Sequence, residues 1–141
     1  MTKATLSWRI GAPAAKIWEL MGDFNGLPKV NPEVVSSALE EGGSIRRLTL
    51  PDGAELIERL VERDEARRSL TYQIIEAVGM ELPFERYEGT FRVTDDLPGE
   101  SSVLEVTGDY GPDDFSLEQA RNDIDSFYSV CVEGIKKRLG A

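Results

Sequence analysis

The sequence predicts an α+β fold: a curved antiparallel sheet of six to seven strands wraps a long C-terminal helix, with two short helices after the first strand. Three observations carry this. From Val34 to Tyr110 the residues alternate with a strand's period of two, interrupted by Gly-, Pro- or Asp-bearing turns. Toward the C-terminus a single apolar stripe recurs at spacings of three and four: Leu117, Ala120, Ile124, Phe127, Tyr128, Cys131, Ile135 and Leu139. The dimensions also agree. A helix of about 24 residues is a rod of roughly 36 Å, and six or seven strands ~4.8 Å apart span a similar width. One sheet wrapped on one helix is the economical way to bury both stripes.

The elements follow in order. Thr5-Leu6-Ser7-Trp8-Arg9-Ile10 alternates as a half-buried strand, and Gly11-Ala12-Pro13 stops it. Pro13 suits the first turn of a helix whose apolar face is Ile17, Trp18, Leu20 and Met21. The segment Gly22–Gly26 breaks that helix and reads either as a simple stop or as a lid. A second helical turn precedes Asn31-Pro32. Strands are expected over 33–40, 44–50, 54–63, 68–76, 83–94 and 102–110. The long helix begins near Phe115-Ser116, with Ser116 able to cap it and Gln119 at the capping-box position. No repeat, linker or low-complexity stretch divides the chain, so residues 1–141 are expected to form one domain.

Turn chemistry sets the register. Pro51-Asp52-Gly53 is a three-residue hairpin loop with glycine at the left-handed position. Pairing Leu50 with Ala54 places Leu48 opposite Leu56 and Arg46 opposite Glu58. The next turn, around Glu65-Ala66-Arg67, pairs Asp64 with Arg68, Leu60 with Tyr72 and Glu58 with Ile74. The face toward the helix then carries Leu6, Trp8 and Ile10; Tyr87, Gly89, Phe91 and Val93; and Leu104, Val106, Gly108 and Tyr110. Amid these apolar groups and tyrosines stands one directly opposed charged pair, Arg46 and Glu58.

Composition removes many chemistries. Of the 141 residues 16 are basic and 26 acidic, a net charge of −10, with one cysteine and no histidine. Without histidine there is no Ser-His-Asp or Cys-His pair and no imidazole shuttle. His- or multi-Cys zinc sites are excluded with them, so no metal and no cofactor is expected. The negative charge repels phosphate backbones, and no nucleic-acid partner is expected. No stretch reaches the ~18 apolar residues of a membrane span. The lone Cys131 suits a reducing, cytoplasmic setting, and the oligomeric state is left open.

The opening strand, Ala12-Pro13-Ala14-Ala15-Lys16-Ile17-Trp18-Glu19-Leu20 and Gly22-Asp23-Phe24 resemble the start of an SRPBCC domain, the START and birch-pollen-allergen-like superfamily. Ile45 to Gly53, Glu58-Arg59-Leu60, Asp64, Leu70-Thr71-Tyr72-Gln73-Ile74 and Tyr87 are similar to its polyketide cyclase/dehydrase branch. The resemblance implies the helix-grip fold, with a cavity between sheet and helix that holds lipids, polyketides or other aromatic or isoprenoid molecules; some members catalyse. Relatives often carry Trp-His-Pro where this chain has Val30-Asn31-Pro32, and tryptophan where it has Val106.

The ligand-facing set expected from the inward pattern and the resemblance is Phe24, Val30, Arg46, Leu48, Glu58, Leu60, Tyr72, Ile74, Tyr87, Phe91, Val106, Tyr110, Phe127, Tyr128 and Cys131. Arg46 and Glu58 admit two readings: a polar anchor, with Glu58 as a general base, or a self-satisfied buried ion pair that helps fix register. The tyrosines read as core aromatics with a polar edge or as hydroxyl donors to a ligand carbonyl. Cys131 has no histidine to activate it and reads as a small buried hydrophobe. Three functions follow: binding of a small hydrophobic ligand; a cyclase, dehydratase or isomerase with Glu58 and Arg46 as candidate catalytic residues; and a protein-interaction module, which requires an exposed apolar patch.

Overall fold

A computed structural model describes residues 2–141. The order is β1 (Thr2–Ile10), α1 (Ala14–Met21), a 3-10 turn (Leu27–Lys29), β2 (Ser36–Glu40), a second 3-10 turn (Glu41–Gly43), β3 (Ile45–Thr49), β4 (Glu55–Asp64), β5 (Ser69–Val78), β6 (Arg86–Leu97), β7 (Ser101–Gly111) and α2 (Leu117–Leu139). The strands form one antiparallel sheet in the order β1-β7-β6-β5-β4-β3-β2, so the first two strands lie at opposite edges. Both helices cover the same face of the sheet.

The inner face follows the expected alternation: Ile10, Tyr87, Phe91, Val93, Leu104, Val106 and Tyr110 are buried. Each aliphatic side chain removed from water contributes about 1.5–3 kcal/mol. On the outer face threonine hydroxyls pair across neighbouring strands, Thr5 with Thr107 and Thr71 with Thr90, each at 2.9 Å. The long helix is capped by Ser116, whose hydroxyl accepts from the Gln119 N–H, and ends at Gly140 in the left-handed region (φ 69°). Its buried residues are Ala120, Ile124, Tyr128, Cys131, Val132 and Ile135. Leu117, expected in the stripe, is exposed at the first position of the helix, while Val132 is buried outside the stripe. The second result follows because the 27–34 segment covers α2 on another side. There a Cβ on Gly134 would lie 1.7 Å from the Val30 carbonyl oxygen, so only glycine permits this approach.

The hairpin at Pro51-Asp52-Gly53 forms as expected, with Leu48 opposite Leu56 and Arg46 opposite Glu58. At the next turn Asp64 pairs with Ser69 rather than Arg68. Arg68 takes a left-handed conformation (φ 51°) and lengthens the turn by one residue. A bulge at Val61 absorbs the excess, so Leu60 still meets Tyr72 and Glu58 still meets Ile74. A second bulge, at Ile75, returns Leu56 to Ala77. β2 begins at Ser36 rather than residue 33, and β6 at Arg86 rather than residue 83. Pro83, which lacks an N–H, and Phe84 belong to the β5–β6 loop, where the Phe84 ring packs on Tyr87, Tyr110 and Phe115.

Candidate functional site

β3 and β4 hold Arg46 and Glu58 face to face on the inner surface, with side chains only 6% and 5% exposed. The guanidinium makes both carboxylate contacts to one oxygen: Nε lies 2.8 Å and Nη2 2.6 Å from Glu58 Oε1. Nη1 donates to the Phe24 carbonyl at 3.1 Å. The cation also lies over two rings, 4.3 Å from the centre of Phe24 and 5.1 Å from that of Tyr72. These contacts fasten the segment after α1 to the sheet. Arg63 Nε adds a 2.7 Å bond to the Gly22 carbonyl, and Ser37 reaches the Asn25 side chain at 2.7 Å. The Gly22–Gly26 stretch is therefore tied down at several points.

Beside this pair three phenols form a chain. The Tyr72 hydroxyl lies 3.1 Å from that of Tyr87 and 2.7 Å from that of Tyr128. Two inward glycines paired across β6 and β7 clear space for neighbouring rings. A Cβ on Gly89 would stand 2.5 Å from the Tyr87 hydroxyl, and one on Gly108 2.7 Å from Tyr110. Burial raises the pKa of all three phenols, and for Tyr72 and Tyr87 the Glu58 carboxylate adds to it, so they remain protonated donors. Tyr110 points elsewhere and donates to Asp123 Oδ2 at 2.5 Å. Burial raises the Asp123 carboxyl, while that accepted bond lowers it.

Between the sheet and α2 lies a recess of about 160 Å³. Leu56, Glu58, Tyr72, Ile74 and Tyr87 border it from the strands, and Asp123, Ile124, Phe127 and Tyr128 from α2. The β5–β6 loop closes one side with Met80, Leu82, Pro83 and Phe84. Three larger depressions are present: about 480 and 310 Å³ outside α2 beside Pro32 and Lys137, and about 370 Å³ beside Gln73, Glu85 and Glu88. The two outside α2 are surface grooves that bring no buried ionisable side chain together, whereas the smaller recess gathers Glu58 and three buried tyrosines.

Of the expected ligand-facing residues, Glu58, Tyr72, Ile74, Tyr87, Phe127 and Tyr128 converge on the recess. Phe24, Val30, Leu48, Phe91, Val106, Tyr110 and Cys131 are packed in the core, with Leu60 half-buried against it. Arg46 stands behind Glu58, engaged as described. Asn31, at the position where relatives often have histidine, is fully buried: its Oδ1 accepts from the Glu33 N–H at 2.9 Å and its Nδ2 faces Cys131 Sγ at 3.6 Å. Burial pushes the Cys131 thiol up to about 12, which leaves it a poor nucleophile. Asp123 and the loop residues Met80, Leu82, Pro83 and Phe84 were outside the expected set. The apolar run Leu82-Pro83-Phe84 between two strands was the available signal. Among the described residues no cluster of His, Cys, Asp or Glu could hold a metal ion.

A long helix gripped by a curved, seven-stranded antiparallel sheet, with a polar-edged recess between them, defines the helix-grip class of the SRPBCC superfamily. Within it, the chain belongs to the polyketide cyclase / dehydrase and lipid transport family, whose model it matches over residues 1–140. The protein XoxI from Bacillus cereus is similar at 33% identity and a TM-score of 0.86, covering 98% of this chain and 95% of that one. An uncharacterized protein from Bacillus thuringiensis is similar at 33% identity and a TM-score of 0.83, covering 99% of each chain. Ara h 8.0201 shares the fold at 18% identity and a TM-score of 0.72, covering 96% of this chain and 97% of that one. No curated protein matches the chain. Among the described residues no helix is long and apolar enough to cross a membrane.

Proposed function

We propose that the protein binds a small hydrophobic ligand in the recess between sheet and α2. The observation that carries this reading is the recess itself, a partly open space of about 160 Å³ between the packed sheet and α2. Its wall is mainly apolar and aromatic, with two carboxylates and three hydroxyls as the orienting groups, the composition expected of a small-molecule site. Titration with the neutral fluorophore N-phenyl-1-naphthylamine, together with native mass spectrometry of protein purified from its own host, tests the reading. Saturable fluorescence or a copurifying ligand is expected; the absence of both would overturn it. A free cysteine suits the reducing cytoplasm as the place of action, and recovery from an oxidising compartment in cell fractionation would contradict that.

The position of Glu58 favours a second reading, a cyclase, dehydratase or isomerase acting on a carbonyl compound. The buried carboxylate borders the recess and would take a proton from carbon, while Tyr72 or Tyr87 donates to the developing oxyanion. Arg46 would hold Glu58 in place instead of touching the substrate. Unchanged turnover by Glu58→Gln on a substrate found by screening would remove this assignment.

A further inference from the structure

The hydrogen-bonding capacity left over around the recess specifies the ligand further, given that it is a binding site at all. Both contacts from Arg46 fall on Glu58 Oε1, and among the described residues no donor reaches Oε2. The Glu58 side chain is 5% exposed and borders the recess, so its free acceptor is directed to whatever lies there. Oε2 is not fully enclosed, so water can reach it through the recess, and a ligand that displaces this water leaves the oxygen unsatisfied unless it brings a hydroxyl. The phenol chain supplies the complement. Tyr87, Tyr72 and Tyr128 hold three hydroxyl protons but make only two contacts with one another, so one O–H remains to be donated. Among its buried groups the wall thus presents one acceptor, Glu58 Oε2, and one donor, while the Asp123 carboxylate borders the recess from the exposed side of α2.

Charge and size narrow the choice. The cation nearest the site, Arg46, is engaged by Glu58, the Phe24 carbonyl and two rings, and does not border the recess. Glu58 and Asp123 do border it. A ligand carboxylate would therefore be buried against acids with no free cation to pair it. A volume of about 160 Å³ is close to the ~150 Å³ apolar cavity that takes up benzene. We propose that the recess selects a neutral single-ring compound bearing a hydroxyl, which donates to Glu58 Oε2 and accepts from the tyrosine chain, and that it rejects the isosteric carboxylate.

The test is a matched ligand series, 4-methylphenol, 4-methylanisole and 4-methylbenzoate, titrated into the protein by NMR with amide shifts to locate each compound. The phenol is expected to bind in the sub-millimolar range, with shifts around Tyr128 and Phe84. Its methyl ether should bind about tenfold more weakly, since it leaves Oε2 without a donor, and the benzoate should not bind measurably. The double variant Arg46→Leu with Glu58→Leu removes the acceptor and its partner together, and should abolish the preference for phenol over ether. If the ether or the benzoate bound as well as the phenol, the selectivity would be refuted and hydrophobic binding would stand. If N-phenyl-1-naphthylamine bound at this site but none of the three did, the one-ring limit would be refuted and ligand binding would stand. If no compound bound, both readings would fail.

Discussion

Replacing Arg46 with leucine tests whether the Arg46–Glu58 pair is a structural joint as well as part of the recess. The substitution keeps an apolar stem but removes the cation from Glu58 Oε1 and the donor from the Phe24 carbonyl. A buried glutamate side chain is then left without its counter-ion. Breaking a buried pair from one side costs about 3–5 kcal/mol, and the orphaned carbonyl adds roughly 1 kcal/mol. Against a total stability of about 5–15 kcal/mol this is a large fraction. At about 4 °C per kcal/mol for a domain of this size, the melting temperature should fall by roughly 20 °C. The assay is urea and thermal unfolding of Arg46→Leu, Glu58→Leu and the double variant. Because the double variant buries no charge, it should be more stable than Arg46→Leu, giving a coupling energy of about 2 kcal/mol or more. Additive single effects, or a cost below about 1 kcal/mol for Arg46→Leu, would refute the joint.

Gly134→Ala should destabilise by more than the ~1–3 kcal/mol of ordinary overpacking, because its Cβ would meet the Val30 carbonyl oxygen at 1.7 Å, a backbone atom with little freedom to move. A thermal melt within about 2 °C of the parent protein would contradict the close approach. Stability should also decline at alkaline pH. The Cys131 thiol is raised from its ordinary value of 9.0 to about 12 and the buried tyrosines are raised from 10.0, so the unfolded chain loses protons first. Their contribution is intact below about pH 9 and fades as pH rises above it, at up to ~1.4 kcal/mol per pH unit for each group. Urea midpoints measured from pH 7 to 11 check this, and a flat profile would show that the burial is overstated.

Much of the fold was legible because turn chemistry and periodicity pointed the same way. Asp52-Gly53 fixed the hairpin, and from it came the one fact that matters most for the site, Arg46 opposite Glu58. The second hairpin shows where such reading stops. Its turn is one residue longer than expected, yet Leu60 still meets Tyr72, because the bulge at Val61 cancels the difference. A bulge leaves little periodic trace, and the exposure of Val61 and Ile75, both apolar, shows itself only once the pairing is known. The recess was less legible than the sheet. Alternation gives the direction of a side chain but not how deeply the neighbouring ring fills the space beyond it. Phe91, Val106 and Cys131 all point inward as expected and are consumed by packing. Nothing in the sequence marks Asp123, an exposed residue of α2, as the acceptor of the Tyr110 hydroxyl.

The three phenols also give the site a direction that can be reversed. The hydroxyls can donate in sequence from Tyr87 through Tyr72 to Tyr128, or the opposite way, with the same two contacts in either case. The two proton orders differ in which end of the chain offers the remaining hydrogen. A bound molecule that accepts at one end selects one order without moving a heavy atom. The wall thus adapts its polarity to its occupant through three torsions while its shape remains that of a packed core.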